Sequence, residues 1–199
     1  MVAHLQLHSK IRIQNIVTSF SFESPLDLSR IRKAFRKECF FDTLNDRRYT
    51  FRVVALRSKR PRCTFLIYHT GKIVCTGSKT LEKAERSDKY LLGQFQKAGI
   101  TAQLKTKAKI QNIVATTALK KPIDIEELLT RMQKRKQIHV TYEPDQFAAA
   151  IIKFLLNHDK EATILMFGSG KLVCVGLTDL EQVRSAIRTI ETLYGRNYL

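Results

Sequence analysis

The chain is dominated by short segments in which apolar residues occupy successive positions as well as alternate ones. Such segments predict β-strands that are apolar on both faces. Five such segments come first, at 11–20, 39–42, 50–56, 63–68 and 72–77, and five follow at 109–118, 137–142, 147–155, 162–167 and 171–176. Apolar residues spaced three or four apart predict a helix after each of Pro25 and Pro122, and longer helices over about 79–97 and 178–194. We expect both prolines in the first turn of their helices, where a missing N–H costs nothing.

The chain repeats itself at a nearly constant distance. Residues 13–17 and 110–114 both read Ile-Gln-Asn-Ile-Val, and the Gly-Lys-Ile-Val-Cys of 71–75 returns as Gly-Lys-Leu-Val-Cys at 170–174. A coherent offset of this kind indicates a tandem duplication. We therefore predict a short N-terminal arm over residues 1–10, a first repeat over 11–100 and a second repeat over 101–199. No linker rich in Pro, Gly or Ser divides the repeats, so we expect them to share one continuous sheet.

The strands carry more apolar surface than the predicted helices can cover. Each repeat supplies two helices, and two helices cannot cover both sides of the sheet. An apolar face left open marks a binding surface. The alternative is that the two repeats stack face to face as a sandwich, and the pattern alone does not decide between these arrangements.

The charge points to a polyanionic partner. The formal net charge is +17, and the excess of Lys and Arg is larger in the first hundred residues. No run of 18 apolar residues predicts a membrane span, and the N-terminus lacks an apolar signal-peptide core, so we expect the chain to stay inside the cell. The four scattered cysteines are expected to be small buried thiols.

Catalytic patterns are missing from the sequence. It contains no Gly-rich phosphate loop, no Cys/His nucleophile spacing and no paired-carboxylate arrangement. We therefore expect a protein that is not an enzyme and that needs no cofactor or metal.

The doubled motifs resemble those of the TATA-binding protein family. The resemblance runs from about residue 11 to 197 and rests on the doubled Gln-Asn-Ile-Val, the doubled Ser/Thr-Gly-Lys-φ-Val turn and Tyr-Glu-Pro-Asp-Gln-Phe at 142–147. It implies an α+β saddle, in which two tandem pseudo-symmetric repeats share one curved antiparallel sheet with helices on the convex side. It also implies that the concave face stays open and lies on the minor groove of DNA.

The same resemblance implies a general transcription initiation factor. Such a factor binds and bends double-stranded A·T-rich, TATA-like promoter DNA through the minor groove. It recruits a transcription-factor-IIB-like protein and RNA polymerase, with a IIA-like factor as a further partner. The expected location is the nucleus, or a cytoplasmic viral factory or virion if the source is a virus.

The family pattern assigns ten side chains to the minor groove. An apolar face rejects the protruding amino group of G·C pairs, because contact would bury an unpaired donor. Asn15 and Asn112 are expected to donate to base acceptors, one in each repeat. Thr76 adds a hydroxyl donor, whereas its counterpart Val175 departs from the family and removes one. The minor-groove set comprises Asn15, Val17, Leu66, Val74, Thr76, Asn112, Val114, Leu165, Val173 and Val175.

Aromatic wedges and phosphate contacts complete the implied DNA site. The TATA-binding protein is itself the standard example of wedging between base steps, in which side chains unstack the duplex and bend it. The matching positions are Phe51, Tyr68, Phe147 and Phe167, of which Tyr68 departs from the family's Phe. Expected phosphate contacts are Arg52, Arg57, Arg62, Lys72, Lys153, Lys171, Thr70 and Ser169.

Glu143 and Asp145 match acidic family positions that bind a IIB-like partner. Their charge would repel phosphate, which favours a protein contact. The neighbouring hairpin tip at 157–161 is longer than the family pattern and lacks its proline. The Tyr68 and Val175 departures favour a second hypothesis, a related interaction platform with weak or no TATA recognition, whereas the four aromatic positions argue against it. A third, an enzyme using this fold on damaged DNA or RNA–DNA, lacks any catalytic cluster.

Overall fold

Strands and helices alternate in the same sequence in both halves of the chain. The computed structural model describes residues 10–44, 52–132, 137–157 and 160–195. The strands within these ranges are β1 Arg12–Phe22, β2 Cys39–Asp42, β3 Val53–Lys59, β4 Arg62–Tyr68, β5 Lys72–Ser78, β6 Leu104–Ala118, β7 Ile138–Thr141, β8 Ala149–Asn157, β9 Lys160–Phe167 and β10 Lys171–Leu177. The helices are α1 Leu28–Ala34, α2 Leu81–Glu85, α3 Ser87–Lys97, α4 Ile125–Met132 and α5 Leu180–Gly195.

Contacts group the chain into two units. The first-repeat unit spans Asn15–Gln111, and the second-repeat unit joins the residues from Asn112 onwards to the residues up to Gln14. Strands β1 and β6 cross this boundary and take part in both units. The strand order is β2-β3-β4-β5-β1-β6 in the first-repeat unit and β1-β6-β10-β9-β8-β7 in the second, and all the recorded pairings are antiparallel. The expected α+β class with two similar antiparallel repeats is confirmed.

In the first-repeat unit, helices α1 and α3 pack on one face of the strands. Alternate strand residues point into this core, because side chains of a strand alternate between its two faces. The strands supply Phe20, Phe22, Val54, Leu56, Cys63, Phe65, Ile67, Ile73 and Cys75, and the helical segments supply Leu28, Ile31, Leu91 and Phe95. Phe95 lies 5.4 Å from Phe22 between ring centroids, and its side chain is fully buried.

The second-repeat unit builds its core by the same alternation. Helix α5 contacts β8 and β10, and α4 contacts β7. The buried strand residues include Ile113, Ala115, Ala150, Ile152, Phe154, Ala162, Ile164, Met166, Leu172 and Cys174. Val183, Ala186, Ile187 and Ile190 face them from α5 at the three-to-four-residue spacing that the sequence predicts.

Two helix predictions were wrong in detail. The segment expected as one helix over 79–97 is divided at Arg86 into α2 and α3. Asp88 accepts the Ala108 N–H at 3.0 Å, and the hydroxyls of Thr18 and Ser87 lie 3.1 Å apart. These two buried polar links tie the start of α3 to β6 and β1, so the helix restarts there.

The two prolines lie outside the first turns in which they were expected. Asp27 is the N-cap of α1, because its Oδ1 accepts the Arg30 N–H at 3.0 Å, and Pro25 precedes it by two residues. Asp124 accepts the Glu127 N–H in the same way, ahead of α4. A carboxylate oxygen satisfies an otherwise unpaired amide at the helix start, so the cap sets the boundary.

The cysteines occupy different environments. Cys63, Cys75 and Cys174 are buried, as expected, whereas Cys39 is only half-buried on the edge strand β2. Burial raises the pKa of the Cys174 thiol to about 12, so this thiol stays protonated at neutral pH. None of the described helices is long and apolar enough to cross a membrane.

Candidate nucleic-acid interface

The first-repeat unit has a second apolar face, which we call its open face. It lies on the side of the strands opposite the helices and carries Asn15, Val17, Leu66, Val74 and Thr76. Leu66 is paired with Val74 across β4 and β5, and Val74 is paired with Ser19 of β1, so these side chains share a face. All five predicted minor-groove residues are half-buried here, whereas their neighbours along each strand are mostly buried under the helices.

The second-repeat unit has the equivalent open face. Val173 is paired with Leu165 on one side and with Thr116 on the other, and Val175 is paired with Thr163. Asn112 and Val114 lie on the same face of β6 at two-residue steps from Thr116. The five predicted residues are again half-buried, so each unit presents its predicted set together: Asn112, Val114, Leu165, Val173 and Val175.

A β-bulge fixes the orientation of Asn15. Ile16 pairs with Ser78 and Thr18 pairs with Cys75, so β5 advances by three residues where β1 advances by two. Gly77 lies in this bulge with φ +98°. The Gly77 N–H donates to Asn15 Oδ1 at 2.7 Å. Because a backbone N–H only donates, the carboxamide oxygen must face Gly77, and the amide NH₂ group points away from it.

The same arrangement holds Asn112. The register shifts between Cys174 and Leu177, Gly176 lies there at φ +85°, and its N–H donates to Asn112 Oδ1 at 2.8 Å. In both units an amide NH₂ group therefore lies on a largely apolar face. An amide NH₂ is a donor, and the floor of an A·T minor groove offers acceptors.

The predicted wedge residues are partly brought together. Phe147 is 45% exposed, and its ring lies 6.1 Å from that of Phe167 in an edge-on arrangement. Phe167 faces the open side, because it lies two residues after Leu165 at the end of β9. Tyr68 is half-buried at the corresponding end of β4, opposite Val53. Phe51, its expected companion, lies outside the described residues.

The predicted phosphate contacts are all exposed, and four of them are matched between the repeats. Arg57 and Lys153 lie opposite Thr64 and Thr163, and Lys72 and Lys171 begin β5 and β10 opposite Ser21 and Ala118. Three of these four have protein contacts: the Arg57 guanidinium lies 4.6 Å from the Phe40 ring, the Lys171 ammonium 5.7 Å from the Phe167 ring, and Lys153 Nζ 3.9 Å from Glu161.

The remaining predicted contacts lie at strand ends. Arg52 precedes β3 and donates to the Leu44 carbonyl at 3.2 Å, and Arg62 opens β4 beside Lys59. Thr70 and Ser169 are exposed in the turns before β5 and β10. The acidic pair lies in the loop before β8: Glu143 and Asp145 are exposed, and the Glu143 carbonyl accepts the Phe147 N–H at 2.8 Å. This turn therefore fixes Phe147 next to two carboxylates.

The two bulge glycines are site residues that the sequence reasoning missed. Their role depends on a register shift between two paired strands, which the local sequence pattern does not show. A signal was present, because Gly77 and Gly176 recur at the same offset of 99 as the Gly-Lys turn. Thr64 and Thr163 were also missed, although each lies on an open face beside position 76 or 175.

Comparisons with known proteins agree with this geometry. A family model described as transcription factor TFIID, or TATA-binding protein, matches residues 10–98 and 107–193. The TATA-box-binding protein of Tetrahymena thermophila is 35% identical over 90% of this chain and 67% of its own length. That of Archaeoglobus fulgidus is 29% identical over 91% and 92%.

A TBP-related factor and a solved structure extend the comparison. The TBP-related factor of Drosophila melanogaster is 32% identical over 92% of this chain and 76% of its own length. The structure of Methanococcus jannaschii TBP matches 93% of this chain and 98% of its own with a TM-score of 0.74 and 27% identity.

Two repeats of strands, each with a donor amide on a largely apolar face, are the arrangement expected of a protein that binds nucleic acid. The chain belongs to the TATA-binding protein family of DNA-binding transcription factors, which act in transcription initiation and are not enzymes.

Proposed function

We propose that this chain is a general transcription initiation factor that binds A·T-rich promoter DNA through the minor groove and bends it. The observation that carries the proposal is the pair of open faces, each half-buried, apolar and centred on an amide NH₂ held by a glycine N–H. Apolar side chains such as Val74 and Val173 exclude the amino group of guanine, and the amides donate to the acceptors that A·T pairs present.

Base analogues test which groove is read. Inosine·cytosine pairs lack the minor-groove amino group of G·C but keep the major-groove pattern of G·C, so they separate the two grooves. We expect a duplex carrying I·C in place of A·T to be bound nearly as well as the A·T duplex in gel-shift titrations, and the G·C duplex to be bound at least tenfold more weakly. An equal loss of affinity for the I·C and G·C duplexes would place recognition in the major groove and contradict the proposal.

Bending is proposed from the exposed wedge. Phe147 keeps nearly half of its surface accessible and contacts Phe167 at the end of the open face. Large apolar side chains that insert at a base step unstack it at a cost of a few kcal/mol, which the larger wrapped surface offsets. Lys171 lies beside Phe167, where it can neutralise phosphates that the bend brings closer.

A IIB-like protein is the partner we propose for the acidic turn. Glu143 and Asp145 are exposed and do not appear in any ion pair recorded for the described residues. We expect Glu143→Arg to abolish recruitment of a IIB-like factor to the DNA complex while leaving DNA binding equal or stronger. Its backbone carbonyl, which holds the turn, is unchanged. Glu126→Arg on α4 makes the same charge change elsewhere in this repeat and is the control.

The interaction-platform hypothesis remains the second candidate, because Tyr68 and Val175 both depart from the DNA-reading pattern. Under that hypothesis the A·T and G·C duplexes are bound alike and only Glu143→Arg has an effect. The IIA-like partner and the nuclear location are proposed from family membership alone.

A further inference from the structure

The two open faces differ in the polar group next to the central asparagine. In the first-repeat unit Asn15 Nδ2 lies 3.1 Å from Thr76 Oγ1, and Thr76 Oγ1 lies 3.2 Å from Asn15 Oδ1. In the second-repeat unit Val175 stands at the position of Thr76, and no hydroxyl accompanies Asn112 there. We infer that Thr76 makes the first-repeat unit tolerant of a G·C pair at the base pair it contacts, whereas Val175 keeps the second-repeat unit strict for A·T there, so that together they set the orientation on DNA.

The Thr76 hydroxyl can work in either direction. When Asn15 Nδ2 donates to Thr76 Oγ1, the hydroxyl proton is free to donate to a base acceptor. When Thr76 instead donates to Asn15 Oδ1, the Oγ1 lone pairs are free to accept from a guanine amino group. The first-repeat unit can therefore match either base-pair type by rotating one hydroxyl.

The second-repeat unit has no such freedom. Asn112 Oδ1 is committed to the Gly176 N–H at 2.8 Å, and its amide NH₂ only donates. Val175 presents methyl groups, against which a guanine amino group would be buried without a partner. An unsatisfied buried donor costs about fivefold to 150-fold in affinity, the equivalent of roughly 1–3 kcal/mol.

This inference rests on the proposed DNA-reading function and adds a consequence for asymmetric sites. A site with one G·C pair to one side of its centre is best bound with that pair under the first-repeat unit. The protein should then take one orientation on such a site, and the preference should reverse when residues 76 and 175 are exchanged.

Orientation is measured by fluorescence transfer between the protein and one duplex end. The acceptor is attached through Arg188→Cys, an exposed position on α5, in a Cys39→Ser background. The donor is placed on either end of a duplex with one off-centre G·C pair, and a duplex containing only A·T pairs gives the baseline bias. Wild type, Thr76→Val, Val175→Thr and the double exchange are compared. The control is Thr101→Val, the same substitution at an exposed position between α3 and β6 that belongs to neither open face.

We expect wild type to favour the predicted orientation about tenfold over the baseline. Each single substitution should remove this bias, the double exchange should invert it, and Thr101→Val should leave it unchanged. A wild type that binds the A·T duplex but shows no added bias, or a double exchange that keeps the original bias, overturns the inference. Failure of wild type to bind the A·T duplex would instead refute the proposed function.

Discussion

The side chain with the most specific role in each repeat is the asparagine held at the β-bulge. Gly77 and Gly176 donate to the Asn15 and Asn112 oxygens, which decides that the amide presents donors and not an acceptor. The positive φ of both glycines makes this geometry unfavourable for other residue types. The two asparagines that we propose to read the base pairs are therefore positioned by backbone N–H groups.

Asn112→Asp isolates the donor function. Aspartate keeps an oxygen for the Gly176 N–H but loses both amide hydrogens and places a negative charge beside base acceptors. We expect affinity for an A·T duplex to fall by at least 1–3 kcal/mol, about tenfold or more, in gel-shift titrations. The far-UV circular dichroism and the midpoint of unfolding should change little.

The matched control is Gln96→Glu, which adds the same charge at an exposed position of α3. It should alter affinity far less than Asn112→Asp does. If both variants lose affinity equally, the loss reflects net charge alone and the asparagine assignment is incorrect.

At the scale of elements, the sequence predicted strands whose residues alternate between two faces. It failed to predict element boundaries that depend on tertiary contacts. The strand β2 was predicted with its observed bounds, because apolar runs and turn residues define such segments locally. The division of α2 from α3 was missed, since it depends on Asp88 reaching the Ala108 amide across the fold. The start of β6 at Leu104 was also missed, because polar residues fill 105–107.

The open face was the least predictable element. Both faces of the strands are apolar in sequence. Only the structure shows that Ile73 and Leu172 are buried in the core, whereas their neighbours Val74 and Val173 are half-buried on the open faces. The pattern left a sandwich and an open surface equally acceptable, and the family resemblance was needed to choose. The ten minor-groove positions could be named from matched motifs, whereas the glycine contacts required the register.

The packing of α3 on the sheet makes a testable claim about stability. Phe95 is fully buried and contacts Phe22 and Phe35, with ring centroids 5.4 and 6.1 Å away. Phe95→Ala should lower the free energy of unfolding by about 3–5 kcal/mol in denaturant titrations followed by circular dichroism. Phe41→Ala, at a position that is 42% exposed, should cost much less. Similar losses for the two variants would mean that the core is not where the structure has it.

At the scale of the whole molecule, the net charge of +17 should appear in the salt dependence of DNA binding. Each phosphate neutralised by the protein contributes roughly −0.9 to the slope of log K against log salt. Replacing both Lys72 and Lys171 by alanine should make that slope shallower by about 2.

Lys33→Ala with Lys97→Ala removes the same charge from exposed positions on α1 and α3 and should leave the slope nearly unchanged. A slope that changes equally in both double variants would show that the charge acts diffusely and not through contacts beside the open faces.

The most direct test of the central claim is the bend of the DNA itself. Fluorescence transfer between dyes at the two ends of a short A·T-rich duplex reports their separation. Saturating wild-type protein should raise the transfer, and Phe147→Ala should raise it less, because this half-exposed ring is the proposed wedge and little core is lost with it. Leu155→Ala, another exposed apolar residue of the same repeat, should match wild type. Saturation by wild type with no change in transfer would contradict the account.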